Sequence, residues 1–112
     1  MEMRRRSLVV VLACAAGWYG ALALAAGAPK PVTHTVTIEG MRFEPAVITV
    51  SRGDTVVWRN KDPFPHTATA NGAFDSHAIA GGKSWRFNAR AAGEYTYICT
   101  LHPNMKGTLI VR

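Results

Sequence analysis

The sequence predicts an all-β domain, a sandwich or barrel of about seven or eight short strands, behind an N-terminal apolar segment. Three observations carry this. Short runs of β-branched and aromatic residues alternate with polar ones at a period of two, and turn residues punctuate them at close spacing. Outside the N-terminal segment, no stretch holds the 3.6-residue period of an amphipathic helix. One cluster, Cys99-Thr100-Leu101-His102-Pro103-Asn104-Met105, sets a thiol, an imidazole and a thioether at C-x2-H-x2-M spacing between two strand-like runs.

Residues 1–28 do not read as domain material. Arg4, Arg5 and Arg6 form a basic start, residues 7–25 are almost wholly apolar, and Ala23-Leu24-Ala25 and Ala26-Gly27-Ala28 offer small-residue cleavage signals. The expectation is a secretory signal peptide over 1–28 and one domain over 29–112. The apolar run is also long enough to span a bilayer, so an uncleaved anchor is the alternative. Val11-Leu12-Ala13-Cys14 faintly resembles a lipoprotein processing box, and Arg5-Arg6-Ser7-Leu8 weakly suggests twin-arginine export. Contact with a membrane is expected only if this segment is retained or lipidated.

The remaining stretch carries ten Lys or Arg against six Asp or Glu, and its formal charge is +4 where the whole chain has +6. That moderate excess favours acidic partners or anionic membrane. No Lys/Arg run is dense enough for nucleic acid. Only Cys99 lies beyond residue 28, so an internal disulfide is excluded there and the residue is a free thiol or a ligand. A core built from 84 residues is small, and a bound metal would add to its stability.

The elements follow in order. Residues 32–39 put His34, Val36 and Ile38 on one face and threonines on the other, and Gly40 ends the run. Phe43-Glu44-Pro45 makes a corner. Residues 46–50 and 55–60 flank the turn Ser51-Arg52-Gly53-Asp54 and are expected to pair as a hairpin. Residues 61–65 hold two prolines and form a loop, 66–70 a further strand, and Asn71-Gly72 a turn. Residues 74–82 are the least regular and end in Gly81-Gly82, expected to be flexible. Residues 83–88 place Trp85 and Phe87 on an inner face, 94–99 do the same with Tyr95, Tyr97 and Cys99, and 107–112 close the domain.

A thiolate and a thioether are soft ligands, and Cys with His and a weak axial Met suits an electron-transfer copper. His66, which follows Pro65 where a loop turns into a strand, is the best second imidazole. Taken singly, Cys99 could be a small buried hydrophobe, His102 a surface histidine and Met105 a core plug. Their spacing favours metal. Zinc fits less well, because its structural sites use four Cys or His ligands. A Cys99 nucleophile paired with His102 lacks an orienting carboxylate. His34 and His77 read as solvated or locally hydrogen-bonded.

The ordered set Phe43-x-Pro45, Gly53-Asp54-Thr55-Val56, Trp58-x-Asn60, Pro65-His66, Phe74-Asp75-Ser76, Gly93-x-Tyr95-x-Tyr97-x-Cys99 and His102-Pro103-x-Met105-x-Gly107 resembles the cupredoxins, the type 1 blue copper proteins. The two-residue gaps of the ligand loop most resemble the amicyanins; plastocyanins, pseudoazurins and azurins have longer loops. The resemblance covers nearly all of residues 32–112. It implies a Greek-key β-sandwich binding one type 1 copper through His66, Cys99, His102 and, more weakly, Met105, with one-electron transfer as the function and no enzymatic activity. It further implies that Asn60 ties the two ligand loops together through Thr100, and that the Thr67 N–H donates to the Cys99 sulfur.

By the same resemblance the edge of His102 reaches the surface, ringed by an apolar docking patch of Phe64, Pro65, Leu101 and Pro103. The expected partners are redox proteins such as a c-type cytochrome, a dehydrogenase or a terminal reductase or oxidase, met by a periplasmic monomer. Leu101 stands where a proline is usual, and the long N-terminal extension strand of the amicyanins is missing. The partner therefore need not be an amine dehydrogenase. The rival reading is a periplasmic copper carrier or sequestering protein without electron transfer, with Met41 as its only stray extra ligand.

Overall fold

In the computed structural model, residues 29–112 are described; the signal-peptide or anchor expectation for 1–28 lies outside them. Among the described residues there is no helix. Nine strands run in order: β1 (Thr33–Ile38), β2 (Phe43–Glu44), β3 (Val47–Val50), β4 (Thr55–Asn60), β5 (Thr69–Ala70), β6 (Phe74–Asp75), β7 (Ser84–Asn88), β8 (Gly93–Cys99) and β9 (His102–Val111). They form two sheets, ordered β2-β1-β4-β7 and β3-β9-β8-β5-β6.

Alternation builds each layer. In β1 and β4 the residues Val36, Ile38, Val56 and Trp58 are fully buried, while the intervening threonines and Arg59 turn outward. A sheet with one wet face demands this period of two. Tyr97 and Leu109 answer from the other sheet. Trp58 meets Tyr97 edge to face at 5.4 Å between centroids, and Phe43 meets the same ring at 4.7 Å. Aromatic pairs prefer such geometry, and each buried ring also contributes about 1.5–3 kcal/mol from lost apolar surface. Burial pushes the Tyr97 hydroxyl up to about 12. Gly107 must be glycine because a Cβ there would enter the Tyr97 ring.

The expected hairpin of residues 46–50 and 55–60 does not form. β3 pairs in parallel with β9, and β4 pairs in parallel with β1, so the two lie in different sheets. The turn between them is pulled both ways: the Arg52 N–H donates to the Arg112 carbonyl at the end of β9, and the Gly53 N–H to the Ala89 carbonyl just past β7. Gly53 permits this with a φ of 94°. The chain crosses the sandwich here instead of folding back on itself.

Gly81-Gly82 is also not the flexible tip expected. A Cβ on Gly81 would stand 2.6 Å from the Asp62 carbonyl oxygen, so only glycine lets residues 80–82 pack against the segment leading to His66. The Asn60 N–H donates to the Lys83 carbonyl and the Gly82 N–H to the Asn60 carbonyl, closing that contact.

Asp54 locks the opposite end. Its carboxylate accepts the N–H of Val32 at 2.9 Å and of Ser51 at 3.0 Å, and it bonds His34 Nε2 at 2.9 Å. The Val32 N–H, then His34 and the Ser51 N–H, hold its carboxyl down at about 2. A depressed folded-state value means that the stabilisation is complete above the ordinary value of 3.8 and is lost as pH falls towards 2. Asp54→Asn should therefore lower stability near neutral pH and flatten the acid limb between about pH 4 and 2, which urea unfolding at a series of pH values measures.

Candidate metal centre

The site sits at one end of the sandwich, where β8 and β9 part. Cys99 pairs with His102, but Ile98 pairs with Lys106, and this register shift leaves residues 103–105 without partners. The expected seven-residue loop is thus a two-residue turn at 100–101 followed by a bulge within β9. Bulges re-aim side chains at sheet ends, and this one serves both His102 and Met105. Cys99 is fully buried, Met105 is 5% exposed, and His102 is half-buried.

His66 arrives from the other loop. A bridge to Ile79, with N–H to carbonyl bonds of 3.1 and 2.7 Å, fixes its backbone, and its side chain is fully buried. Nε2 lies 2.8 Å from Asp62 Oδ2, and Nδ1 lies 3.6 Å from Cys99 Sγ. Burial raises the Asp62 carboxyl, but the N–H groups of Gly40 and Met41 and the His66 ring outweigh it, and the net direction is down. An ionised carboxylate only accepts, so in the neutral ring Nε2 carries the proton and Nδ1 keeps its lone pair on the sulfur side.

Donors about 2.0 and 2.3 Å from one shared ion stand roughly 3.5–3.8 Å apart, and the Nδ1 to Sγ separation of 3.6 Å fits. The ring centroids of His66 and His102 are 5.4 Å apart. Among the described residues, no three His, Cys, Asp or Glu side chains close on one point, so His102 is less tightly gathered than His66 and Cys99. Two imidazoles, a thiolate and a thioether, the donor types offered by His66, His102, Cys99 and Met105, suit copper better than zinc.

The cupredoxin-like domain family matches residues 9–111. The chain is a cupredoxin. It is 30% identical over 118 residues to amicyanin-alpha of Methylorubrum extorquens, a match covering 95% of this chain and 98% of that protein. It is 32% identical over 82 residues to the amicyanin of Paracoccus versutus, covering 68% of this chain but only 62% of that one. Among solved structures, the Cu(I) form of an amicyanin mutant superposes with a TM-score of 0.69 at 28% identity, covering 79% of this chain and 89% of that chain. A Cu-containing nitrite reductase from Thermus scotoductus also reaches 0.69 at 31% identity, but 76% of this chain corresponds to only 23% of the enzyme.

Around the ligand candidates of this cupredoxin the hydrogen bonds differ in one respect from the expected pattern. The Thr67 N–H points at Cys99 Sγ from 3.3 Å. Asn60, however, does not reach Thr100. Its Nδ2 donates to the carbonyls of Phe64 and Ile79 at 2.8 and 2.9 Å, and its Oδ1 accepts the Asp62 N–H at 3.0 Å. Asn60 stitches the His66 loop to the 79–82 segment. The link between the two ligand loops is Thr67, whose hydroxyl oxygen accepts the Thr100 N–H at 2.8 Å and lies 3.1 Å from the Thr100 hydroxyl.

Sequence reading missed Asp62, which orients His66 from four residues upstream. Its signal was present, a carboxylate and an imidazole framing two prolines. His34 and His77 stand apart, bonded to Asp54 and beside Asp75 respectively.

Thr67→Val keeps shape and removes the hydroxyl. The metal-free variant should lose about 1–2 kcal/mol in denaturant unfolding, because the Thr100 N–H loses its acceptor. Wild-type stability in Thr67→Val would show that the hydroxyl does not join the loops.

Proposed function

We propose that this cupredoxin carries single electrons between redox proteins through one copper held by His66, Cys99, His102 and, more weakly, Met105. One observation supports this above the others: a fully buried cysteine sulfur faces both an imidazole lone pair at 3.6 Å and a main-chain N–H at 3.3 Å. Bound copper supplies a one-electron couple between Cu(I) and Cu(II). The chain supplies the frame. Asp62 fixes the His66 ring, the Thr67 N–H steadies a Cys99 thiolate, and Thr67 with Thr100 holds the two loops at a constant spacing. Cys99 must lose its proton and both histidines must be neutral to bind, so copper affinity should fall in acid.

Electrons would pass at the half-buried edge of His102. Phe64 and Leu101 are 40% and 51% exposed, Pro65 and Pro103 are also exposed, and the Phe64 ring lies 6.2 Å from the His102 ring. So small an apolar patch orients a partner without holding it. Lys61 and Lys106 lie nearby in sequence and would steer an acidic face, giving a salt-dependent rate. Partners of this chemistry include a c-type cytochrome, a dehydrogenase or a terminal reductase or oxidase. The basic start and apolar run of residues 4–25 support export to the periplasm.

Adding Cu(II) to the metal-free protein should give intense blue absorption and narrow copper hyperfine splitting, both lost in Cys99→Ser. Weak colour with an ordinary Cu(II) spectrum would mean that the donors do not converge, and would favour a copper carrier. Leu101→Glu should leave copper bound and slow electron exchange with a c-type cytochrome several-fold in stopped flow. An unchanged rate would remove the patch from the docking surface.

A further inference from the structure

The turn before β2 contributes a residue that the electron-transfer reading does not use. Met41 has a φ of 63°, a left-handed conformation that long side chains seldom adopt and that needs outside support. Support comes from Asp62: its Oδ2 accepts the Met41 N–H at 3.1 Å while also lying 2.8 Å from His66 Nε2, and its Oδ1 accepts the Gly40 N–H at 2.9 Å. The carboxylate that orients a candidate metal ligand therefore also sets the backbone at Met41.

The result is an open groove of about 380 Å³ lined by Met41, Leu101, His102, Pro103, Asn104 and Met105. Three of these six residues bear sulfur or imidazole donors, and they are graded in exposure. Met41 is 38% exposed, His102 is half-buried, and Met105 is 5% exposed next to a site whose thiol is fully buried. A thioether is soft, carries no proton to lose, and suits Cu(I).

We propose that Met41 is a capture ligand for incoming Cu(I), binding it at the mouth of this groove and passing it inward by way of His102. The proposal rests on the copper reading above. The ion stays Cu(I) throughout, and no electron changes hands; one set of donors replaces another until Cys99 and His66 hold the metal. Apolar contact with a protein partner is the competing role for so exposed a side chain. Met41→Leu separates the two, because leucine keeps the volume and apolar character and makes no new demand on φ, yet has no sulfur.

The test supplies Cu(I) as its bicinchoninate complex to the metal-free full chain without oxygen and follows loss of the chelator's colour in stopped flow. Met41→Leu should load about tenfold more slowly, the lower end of what outer partners of metal sites contribute, and should reach the same final occupancy. Equal loading rates would overturn the proposal; if electron exchange with a c-type cytochrome slowed instead, Met41 would belong to the docking surface. Failure of the wild type to take Cu(I) at all would overturn the copper reading and the proposal together. A second readout avoids loading kinetics. With the thiol removed in Cys99→Ser, Ag(I) should still shift the Met41 methyl resonance, and an unmoved methyl would overturn the proposal.

Discussion

The Thr67 hydroxyl joins the two loops just beyond the point where β5 and β8 cease to pair, at Thr69 and Ile98. Residues 66–67 and 99–100 are more than thirty positions apart, yet Thr67 Oγ1 accepts the Thr100 N–H while the Thr67 N–H points at the Cys99 sulfur. One residue thus uses its side chain to fix the loops and its backbone to receive the thiol. His66, its neighbour, is fixed from the other side by its bridge to Ile79. Because Cys99 and His66 are held by the protein's own bonds, a metal would have little to rearrange at these two donors. Little rearrangement is what one-electron transfer requires, since Cu(I) and Cu(II) favour different geometries.

Charge is distributed to the same end. Asp54 and Asp62 are buried, and each satisfies main-chain N–H groups together with a histidine, Asp54 at the far end of the sandwich and Asp62 beside the site. Among the described residues, the only Lys or Arg within ion-pair distance of a carboxylate is Arg42, which pairs with Glu44. Two of the six carboxylates among the described residues are thus spent inside, while Glu39, Glu44, Asp75 and Glu94 and all the Lys and Arg side chains face water. The surface is therefore more basic than the formal charge suggests, and acidic partners would be drawn to it.

Much of this was legible in the sequence, for a specific reason. Alternation reports which face a residue takes, so the sequence places β1, β4, β7 and β8 within a residue or so and sets Tyr97 and Cys99 on an inner face. Alternation does not report which strand lies alongside, so β3 and β4 were paired as a hairpin although hydrogen bonds from Arg52 and Gly53 draw the turn towards different sheets. The Cys99, His102 and Met105 spacing and the Pro65-His66 step stand out because metal chemistry restricts residue type, and the structure brings His66 beside Cys99. Their supports, the Thr67 N–H apart, are less visible. Asp62 sits in a proline-rich stretch that looks like plain loop, and the need for Gly81 arises only from the backbone packed against it. The bulge at 103–105 depends on a cross-strand register that no local pattern encodes.

The central claim is that the protein forms this site before metal arrives. Hydrogen exchange of the Thr67 and Thr100 amides in the metal-free protein tests it most directly, since one bonds the Cys99 sulfur and the other the Thr67 hydroxyl. The account predicts that both amides are protected without copper and that loading changes them little. Exchange as fast as that of free loop amides, slowed only when copper is added, would mean that the metal builds the site, and the account would be wrong.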